Sequence, residues 1–236
     1  MIVFVTPAYQ RYELTNICLE QRALLCTELK PATCVVVADD ANLGLAYRWG
    51  FHTVEQNNEY LGRRFSDGIE YAYKVLEADY VVPIGSDSWV HASYFKDLMP
   101  DQFRSSHLQQ AYSPDGTQSI DLYVEERRQP GGVWPFVIPK TMLVASNGRP
   151  CRYEIQQGCD YDTYTGLGKP EPVYVDLFPA QYTSFKSVAI QKSQYHKVAV
   201  VHGQSQKARN GTEVFEHLAQ YYPQHLVAAL QRYYGQ

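Results

Sequence analysis

Asp87 is the residue of this sequence whose surroundings most clearly suggest chemistry. It sits in a tight Gly-Ser-Asp-Ser turn directly after the apolar run Tyr80-Val81-Val82-Pro83-Ile84, so an expected strand carries its carboxylate. A hard divalent cation bridging two phosphates needs carboxylate oxygen on a rigid support, and Mg2+ takes only one or two protein carboxylates. The same turn equally suits an aspartate that caps a following helix, as Asp and Ser often do. Two further polar clusters follow apolar runs in the same way. Pro7-Ala8-Tyr9 comes after Ile2 to Val5 and Thr6, and Asp39-Asp40 comes after Cys34 to Ala38.

These clusters have meaning only if the chain brings them together, and the pattern of elements says that it does. Ile2 to Val5 is a short apolar strand stopped at Thr6-Pro7. Tyr12 to Leu29 places Leu14, Ile17, Cys18, Leu24, Leu25 and Leu29 near helical spacing, and Pro31 ends that helix. Cys34 to Ala38 is a β-branched strand, and Phe51 to Val54 is a second short one. Ser66 to Leu76 reads as a helix with Ile69, Ala72, Tyr73 and Leu76 on one face, and Tyr80 to Ile84 is a strand again. Strand–helix–strand alternation implies a parallel sheet with helices on both faces. Ligands of such sheets gather beyond the carboxyl ends of the strands. Pro7 to Tyr9, Asp39-Asp40 and Ser86 to Ser88 are therefore expected to converge on one cleft.

Beyond about residue 110 the alternation loosens. Pro130-Gly131-Gly132 and Asn147-Gly148-Arg149-Pro150 mark loops. Val133 to Ile138, Val173 to Phe178 and Val198 to Val201 read as strands. Thr212 to Tyr233 is helical, with Thr212 as its N-cap and a break or kink at Pro223. No repeat, low-complexity tract or linker stands out, so residues 1–236 are expected to form one domain.

Composition narrows the function classes. At 45% hydrophobic residues over 236 positions the chain can build a substantial core. No apolar run approaches the 18 or so residues of a membrane helix. The opening MIVFVTPAYQ has neither a basic leader nor a small-residue cleavage site and reads as a buried strand, which makes the cytoplasm the expected compartment. The formal charge is −4, from 21 basic and 25 acidic residues, and the basic clusters stop at Arg63-Arg64 and Arg127-Arg128. That disfavours a groove tracking a nucleic-acid backbone. The five cysteines at 18, 26, 34, 151 and 159 form no CxxC pair, so they are expected to be buried thiols rather than zinc ligands or disulfides.

At this point the chain resembles the GT-A glycosyltransferases, in particular family 2-like enzymes and the compact forms found in bacteriophages and bacteria. Val3-Phe4-Val5-Thr6-Pro7-Ala8-Tyr9 is similar to the opening strand of that family, and Val35-Val36-Val37-Ala38-Asp39-Asp40-Ala41-Asn42 to its second strand and acidic turn. Leu61-Gly62-Arg63-Arg64-Phe65-Ser66-Asp67-Gly68-Ile69 resembles the start of the donor-side helix. Ala78 to Ser88 resembles the strand that leads to the DxD metal motif. The resemblance covers about residues 1 to 95, and the remainder in patches. It implies a GT-A, Rossmann-like fold: a mostly parallel central sheet flanked by helices, with a nucleotide-sugar half (1–100) and an acceptor half (101–236).

By the same resemblance Pro7, Ala8 and Tyr9 would line the base and ribose, with the Tyr9 ring on the base. Asp40 would accept the base imide N–H, which favours uracil or thymine, with Asp39 beside it. Arg63 or Arg64 would approach the diphosphate. Asp87, next to Ser86, would hold Mn2+ or Mg2+. A diphosphate leaving group gains negative charge as the glycosidic bond breaks, so cations there stabilise the transition state more than the ground state. The sequence departs from the motif at three places. The first acid of the DxD pattern is Gly85, the acid that often follows is Ser88, and the asparagine before the helix glycine is Ser66.

The resemblance also assigns roles in the second half. Gly131 to Phe136 would face the acceptor, or else form a packed aromatic hairpin. Gly158-Cys159-Asp160-Tyr161-Asp162 resembles the late acidic motif whose carboxylate is the base of inverting members. Asp160 is the first choice there and Asp162 the alternative, against an ordinary acidic surface loop. His202, delivered by Val198 to Val201, would complete the metal site, and Lys207 would contact the diphosphate; a structural histidine fits the same position. Twenty tyrosines and three tryptophans could supply stacking platforms for sugar rings, or simply core and interface.

Two other readings compete. A nucleotidyltransferase acting on sugar phosphates would need a glycine-rich loop after the first strand, and Pro7-Ala8-Tyr9-Gln10-Arg11 is not one. A GT-A-like binding protein without catalysis would be consistent with Gly85 and Ser88. The sequence leaves the acceptor open among carbohydrate, lipid-linked sugar, protein and modified nucleic-acid base.

Overall fold

The structure, a computed structural model, describes residues 1–113, 116–123, 133–156, 159–178, 182–185, 204–210 and 213–235. In chain order the first half comprises β1 (Ile2–Pro7), α1 (Tyr12–Glu28), β2 (Ala32–Ala38), α2 (Asp40–Arg48), β3 (His52–Glu55), α3 (Leu61–Lys74), β4 (Tyr80–Pro83), β5 (Ser88–Val90) and a 3-10 turn at Ala92–Phe95. There follow β6 (Arg104–Ser106), β7 (Leu108–Tyr112), β8 (Gln118–Tyr123), β9 (Val133–Pro139), α4 (Lys140–Leu143), α5 (Cys159–Gly166), β10 (Val173–Tyr174), β11 (Tyr182–Phe185) and β12 (Gln204–Asn210). The helices α6 (Glu213–Leu218) and α7 (Gln224–Tyr234) close the chain.

The strands of the first half are valine-rich without polar alternation because the sheet they build is covered on both faces. Val3, Val5, Val35, Val37 and Val81 pack under Phe65 and Ile69 of α3. Phe4, Val36 and Val82 face the other way, onto Leu19 and Leu25 of α1. The sheet runs β10-β6-β9-β4-β1-β2-β3. β1, β2, β3 and β4 are mutually parallel, and β9 is antiparallel to both β4 and β6. Gly68 lets α3 lie directly on this sheet, since a Cβ there would fall 2.5 Å from Val5 Cγ1 and 2.6 Å from Val37 Cγ2.

A second sheet, β12-β8-β7-β11-β5, stands beside the first. Its core joins Trp89, Tyr112 and Phe185 to Leu14 and Ile17 of α1 and to the apolar faces of α6 and α7. Asp121 on β8 and Arg209 on β12 form a buried fork, Nη1 and Nη2 each donating to a carboxylate oxygen at 2.7 Å, while Gln110 donates to the same carboxylate at 3.1 Å. Because β5 begins one residue after Asp87, the turn that carries Asp87 is one of the links between the two sheets. Phe185 N–H donates to the Asp87 carbonyl at 2.7 Å and fixes that link from the second sheet.

Three differences from the expected elements stand out. α3 starts at Leu61 rather than Ser66, with Gly62 N–H bonded to the Ile155 carbonyl at 2.8 Å. Asp40 opens a helix, α2, where an acidic turn was expected. The expected strand Val173 to Phe178 is only two residues long. Its continuation turns so that Asp176 accepts from the Ser106 hydroxyl at 2.8 Å and the His107 and Leu108 N–H groups at 2.7 and 3.1 Å. The break expected at Pro223 is present, dividing this stretch into α6 and α7, and the expected N-cap Thr212 lies outside the described residues. Val198 to Val201 lies outside the described residues. All five cysteines are buried thiols, and no helix among the described residues is long and apolar enough to cross a membrane.

Candidate active site

Strand register builds the site. Val5 is opposite Val35 on β2 and Pro83 on β4. Tyr9, Asp39 and Asp87 each lie four residues beyond one of these three aligned positions, so they leave the sheet together at its carboxyl edge. Ala8 N–H still donates to the Val37 carbonyl at 2.9 Å, and Ile84 N–H to the Val5 carbonyl at 2.9 Å. The three tips are thus held by the sheet itself.

The loop after β1 carries a residue that sequence reasoning missed. Gln10 and Arg11 both adopt left-handed backbone, with φ of 50° and 48°. For non-glycine residues each such conformation costs roughly 1–2 kcal/mol and persists only where its surroundings impose it. It turns the Arg11 side chain across to the β4–β5 link, where Nη1 donates to Asp87 Oδ2 at 2.7 Å and Nη2 approaches Ser86 Oγ at 3.4 Å. The attraction of Asp87 outweighs burial and raises the Arg11 pKa. The other Asp87 oxygen accepts from the Ser88 hydroxyl at 3.3 Å. It also lies 2.6 Å from where a Cβ on Gly85 would stand, so an acid at Gly85 is incompatible with this placement of Asp87. Behind the turn, the buried Arg22 donates Nη2 to the Ser88 carbonyl at 3.1 Å.

α3 separates its two arginines. Arg63 points outward to Asp67 at 3.8 Å, over the Tyr153 ring. Arg64 points inward, donating Nη1 to the Ala8 carbonyl at 3.1 Å with its guanidinium 6.0 Å from the Tyr9 ring centre. Burial lowers the Arg64 pKa, Asp39 opposes that shift, and Arg11 adds to it. Asp39 and Arg11 are therefore each within electrostatic reach of Arg64. Asp39 precedes α2 without capping it, and its Oδ1 is buried with no hydrogen-bond partner among the described residues. Buried acceptors without partners are rare and call for an explanation, a ligand being one. Asp40 is the first residue of α2; its side chain lies outside the described residues.

The two acids of α5 have separate surroundings. Asp162 accepts from Arg152 N–H at 2.6 Å and from Arg152 Nε at 2.7 Å, so its carboxylate fastens the chain before α5 onto the helix. Asp160, half-buried in the first turn, sits on the side of Tyr182. Burial pushes the Tyr182 hydroxyl pKa up, and the charges of Asp87 and Asp160 add to that rise. The Tyr182 hydroxyl shares a hydrogen bond with Ser88 Oγ at 3.3 Å. Asp87 and Asp160 thus lie within electrostatic reach of one tyrosine.

No family model matches this chain, and no curated protein matches it by sequence. Solved structures match it by shape. S. aureus TarS 1-349 aligns with a TM-score of 0.58 at 12% identity, over 78% of this chain and 60% of that one. TarS 1-349 in complex with UDP-GlcNAc aligns with 0.53 at 11% identity, over 98% and 71%. Mannosyltransferase PcManGT from Pyrobaculum calidifontis, in complex with GDP-Man and Mn2+, aligns with 0.53 at 13% identity, over 97% and 68%. The fold is GT-A. This chain spans 60–71% of the length of these neighbours, and the likeness is one of architecture.

Within the GT-A frame the remaining expectations fall as follows. Phe136 belongs to β9 and the core, 5.1 Å from Phe103, and Tyr94 donates to the Pro135 carbonyl at 2.7 Å, so these two residues are packed, while the side chains of Val133 and Trp134 lie outside the described residues. Gly131 and Gly132 lie outside the described residues, as does His202. Lys207 is on β12 in register with Asp121 of β8, and its side chain lies outside the described residues. Among the described residues no group of three or more His, Cys, Asp or Glu is arranged to hold a metal.

Proposed function

We propose that this chain is a glycosyltransferase that takes a sugar from a nucleotide-diphosphate donor, a UDP-sugar by preference, and transfers it with inversion to an acceptor hydroxyl. One observation carries the reading: three registered strand ends bring Tyr9, Asp39 and Asp87 to one edge, with Arg64 held between the first two. An aromatic ring, a buried acceptor and cationic groups at that spacing suit a base, a ribose and a diphosphate in succession. Pro7 and Ala8 would supply the wall behind the base, and Ser86 the polar edge near the phosphates. Asp39, with its unmet acceptor oxygen, takes the base imide N–H, alongside Asp40.

In the reaction the acceptor oxygen attacks the anomeric carbon as the bond from that carbon to the diphosphate oxygen breaks. The electron pair leaves with the diphosphate, and the acceptor proton passes to Asp160, whose charge reaches the same tyrosine as that of Asp87. The nucleotide half (1–100) binds the donor, and residues 101–236 present the acceptor, a carbohydrate, a protein or a modified nucleic-acid base.

A divalent ion is the group that the resemblance implies for this site, and PcManGT is in complex with GDP-Man and Mn2+. The described residues do not fit one. Of the acids in the DxD region only Asp87 is present, one of its oxygens is paired with Arg11, and the other is turned toward Gly85 and Ser88.

The test is calorimetry with UDP, GDP, CDP and ADP, followed by release of nucleotide from the matching sugar donors. Binding of one diphosphate, lost in Tyr9→Ala and weakened in Asp39→Asn, supports the reading. Indifference to every nucleotide overturns it.

A further inference from the structure

We propose that Arg11 is the cation that meets the donor diphosphate, and that transfer by this chain needs no divalent ion. This rests on the nucleotide-sugar reading above. It starts from the Arg11–Asp87 pair, in which the carboxylate that a metal would need is already bound to a guanidinium at 2.7 Å. That oxygen already accepts from Arg11, so a Mg2+ ion at about 2.0–2.1 Å from it would share it with a guanidinium whose like charge opposes the ion. The chain, however, is shaped to keep the pair. Two successive left-handed residues present Arg11, Gly85 alone leaves room for the Asp87 carboxylate, and Ser88 donates to its far oxygen. Arg22 and Phe185 fasten the Asp87–Ser88 backbone from behind.

The pair also leaves Arg11 donors to spare. A guanidinium offers five N–H donors in a planar fork, matched to carboxylate and phosphate oxygens. Among the described residues Arg11 uses one on Asp87 and a long one on Ser86. The side chains of Arg11 and Asp87 keep 29% and 19% of their exposure, enough for a ligand to reach the fork. Arg64 stands near enough for the two guanidinium charges to oppose each other. Two cations gathered at one strand edge favour an anion between them. A diphosphate there would replace the repulsion with charge-assisted hydrogen bonds that strengthen as the leaving group gains charge. Asp87 then acts as the positioning residue for Arg11.

The experiment measures UDP and uridine binding to the full chain by calorimetry, each in EDTA and in Mn2+, for wild type, Arg11→Ala, Arg11→Lys and Asp87→Asn. The expected result is equal UDP affinity in EDTA and Mn2+ for wild type. Arg11→Ala should lose at least tenfold for UDP with uridine affinity unchanged, and Arg11→Lys should lose less. Asp87→Asn should weaken UDP without making it respond to Mn2+. Unchanged uridine binding shows that Arg11→Ala is folded. Wild-type UDP binding that requires Mn2+ overturns the proposal while leaving the donor reading intact, as does Arg11→Ala binding UDP as tightly as wild type. If neither UDP nor any other nucleoside diphosphate binds in either condition, both fall.

Discussion

Arg64 Nη1 donates to the Ala8 carbonyl at 3.1 Å, tying the first turn of α3 to the loop that leaves β1. Its neighbour Arg63 is 40% exposed and reaches Asp67 at 3.8 Å and the face of the Tyr153 ring. The two arginines should therefore separate cleanly. Arg64→Ala is expected to weaken UDP binding about tenfold or more, roughly 1.4 kcal/mol, and to lower stability by about 1–3 kcal/mol through the unmet Ala8 carbonyl. Arg63→Ala should change stability by no more than about 0.5 kcal/mol. Calorimetry and urea unfolding on the pair decide the matter; equal effects would reject the inward role of Arg64.

The α5 acids make a second contrast. Asp160→Asn should keep the fold and UDP affinity while transfer falls on the order of 100-fold or more, the usual share of a general base. Asp162→Asn weakens the two bonds from Arg152 and should lower stability by about 1–3 kcal/mol. Single-turnover transfer and urea midpoints are the measurements. Undiminished transfer in Asp160→Asn removes it from the mechanism.

His91 accepts the Ser93 N–H at its Nδ1, at 3.2 Å, and lies against the Phe178 and Tyr222 rings. Burial lowers its pKa below the ordinary histidine value, with Glu28 pulling weakly the other way. The folded state therefore binds this proton less readily than the unfolded chain. Stability from this group is complete above about pH 6.5 and declines as the pH falls below it. Unfolding free energy measured at pH 7 and pH 5 should drop less in His91→Gln than in wild type. An identical slope would show that the imidazole carries no such linkage.

The Asp121–Arg209 pair is buried, with side-chain exposures of 5% and 7%. Removing one partner leaves a charge without its counter-ion, so Asp121→Ala should cost about 3–5 kcal/mol, while an apolar pair such as Asp121→Leu with Arg209→Met should recover most of it. Urea unfolding of the single and double variants tests this, and a double variant as unstable as the single one would contradict it.

Much of this architecture was legible in the sequence because valine-rich runs bounded by Pro and Asp leave few alternatives to buried parallel strands. Register did the rest: strands of similar length starting side by side end side by side, which is why Tyr9, Asp39 and Asp87 share an edge. Arg11 was not legible. Its partner is 76 positions away, and its left-handed backbone is imposed by the fold rather than signalled by Gly or Asn. The α2 helix was hidden because Asp39-Asp40 followed by Asn42 and Gly44 has the composition of a turn, although Asp39 in front of an Ala and Leu series is also how a helix begins. The choice between Asp160 and Asp162 depended on Arg152, whose approach to α5 no spacing rule conveys.

Gly85 offers the sharpest test of how the cation is held. A Cβ at this position would stand 2.6 Å from Asp87 Oδ1, so any side chain must shift the carboxylate whose other oxygen holds Arg11. Gly85→Ala does only that, and should weaken UDP binding with no gain from Mn2+. Gly85→Asp makes the same displacement but adds a second carboxylate beside the first, giving the one or two acids from which a divalent ion can be held together with phosphate oxygens. Its UDP affinity should fall in EDTA and recover in Mn2+, a response absent from wild type. Calorimetry in the two buffers reads both variants. If Gly85→Ala binds UDP like wild type, the contact between Asp87 and Arg11 has no part in donor binding, and the single carboxylate at this turn serves another purpose.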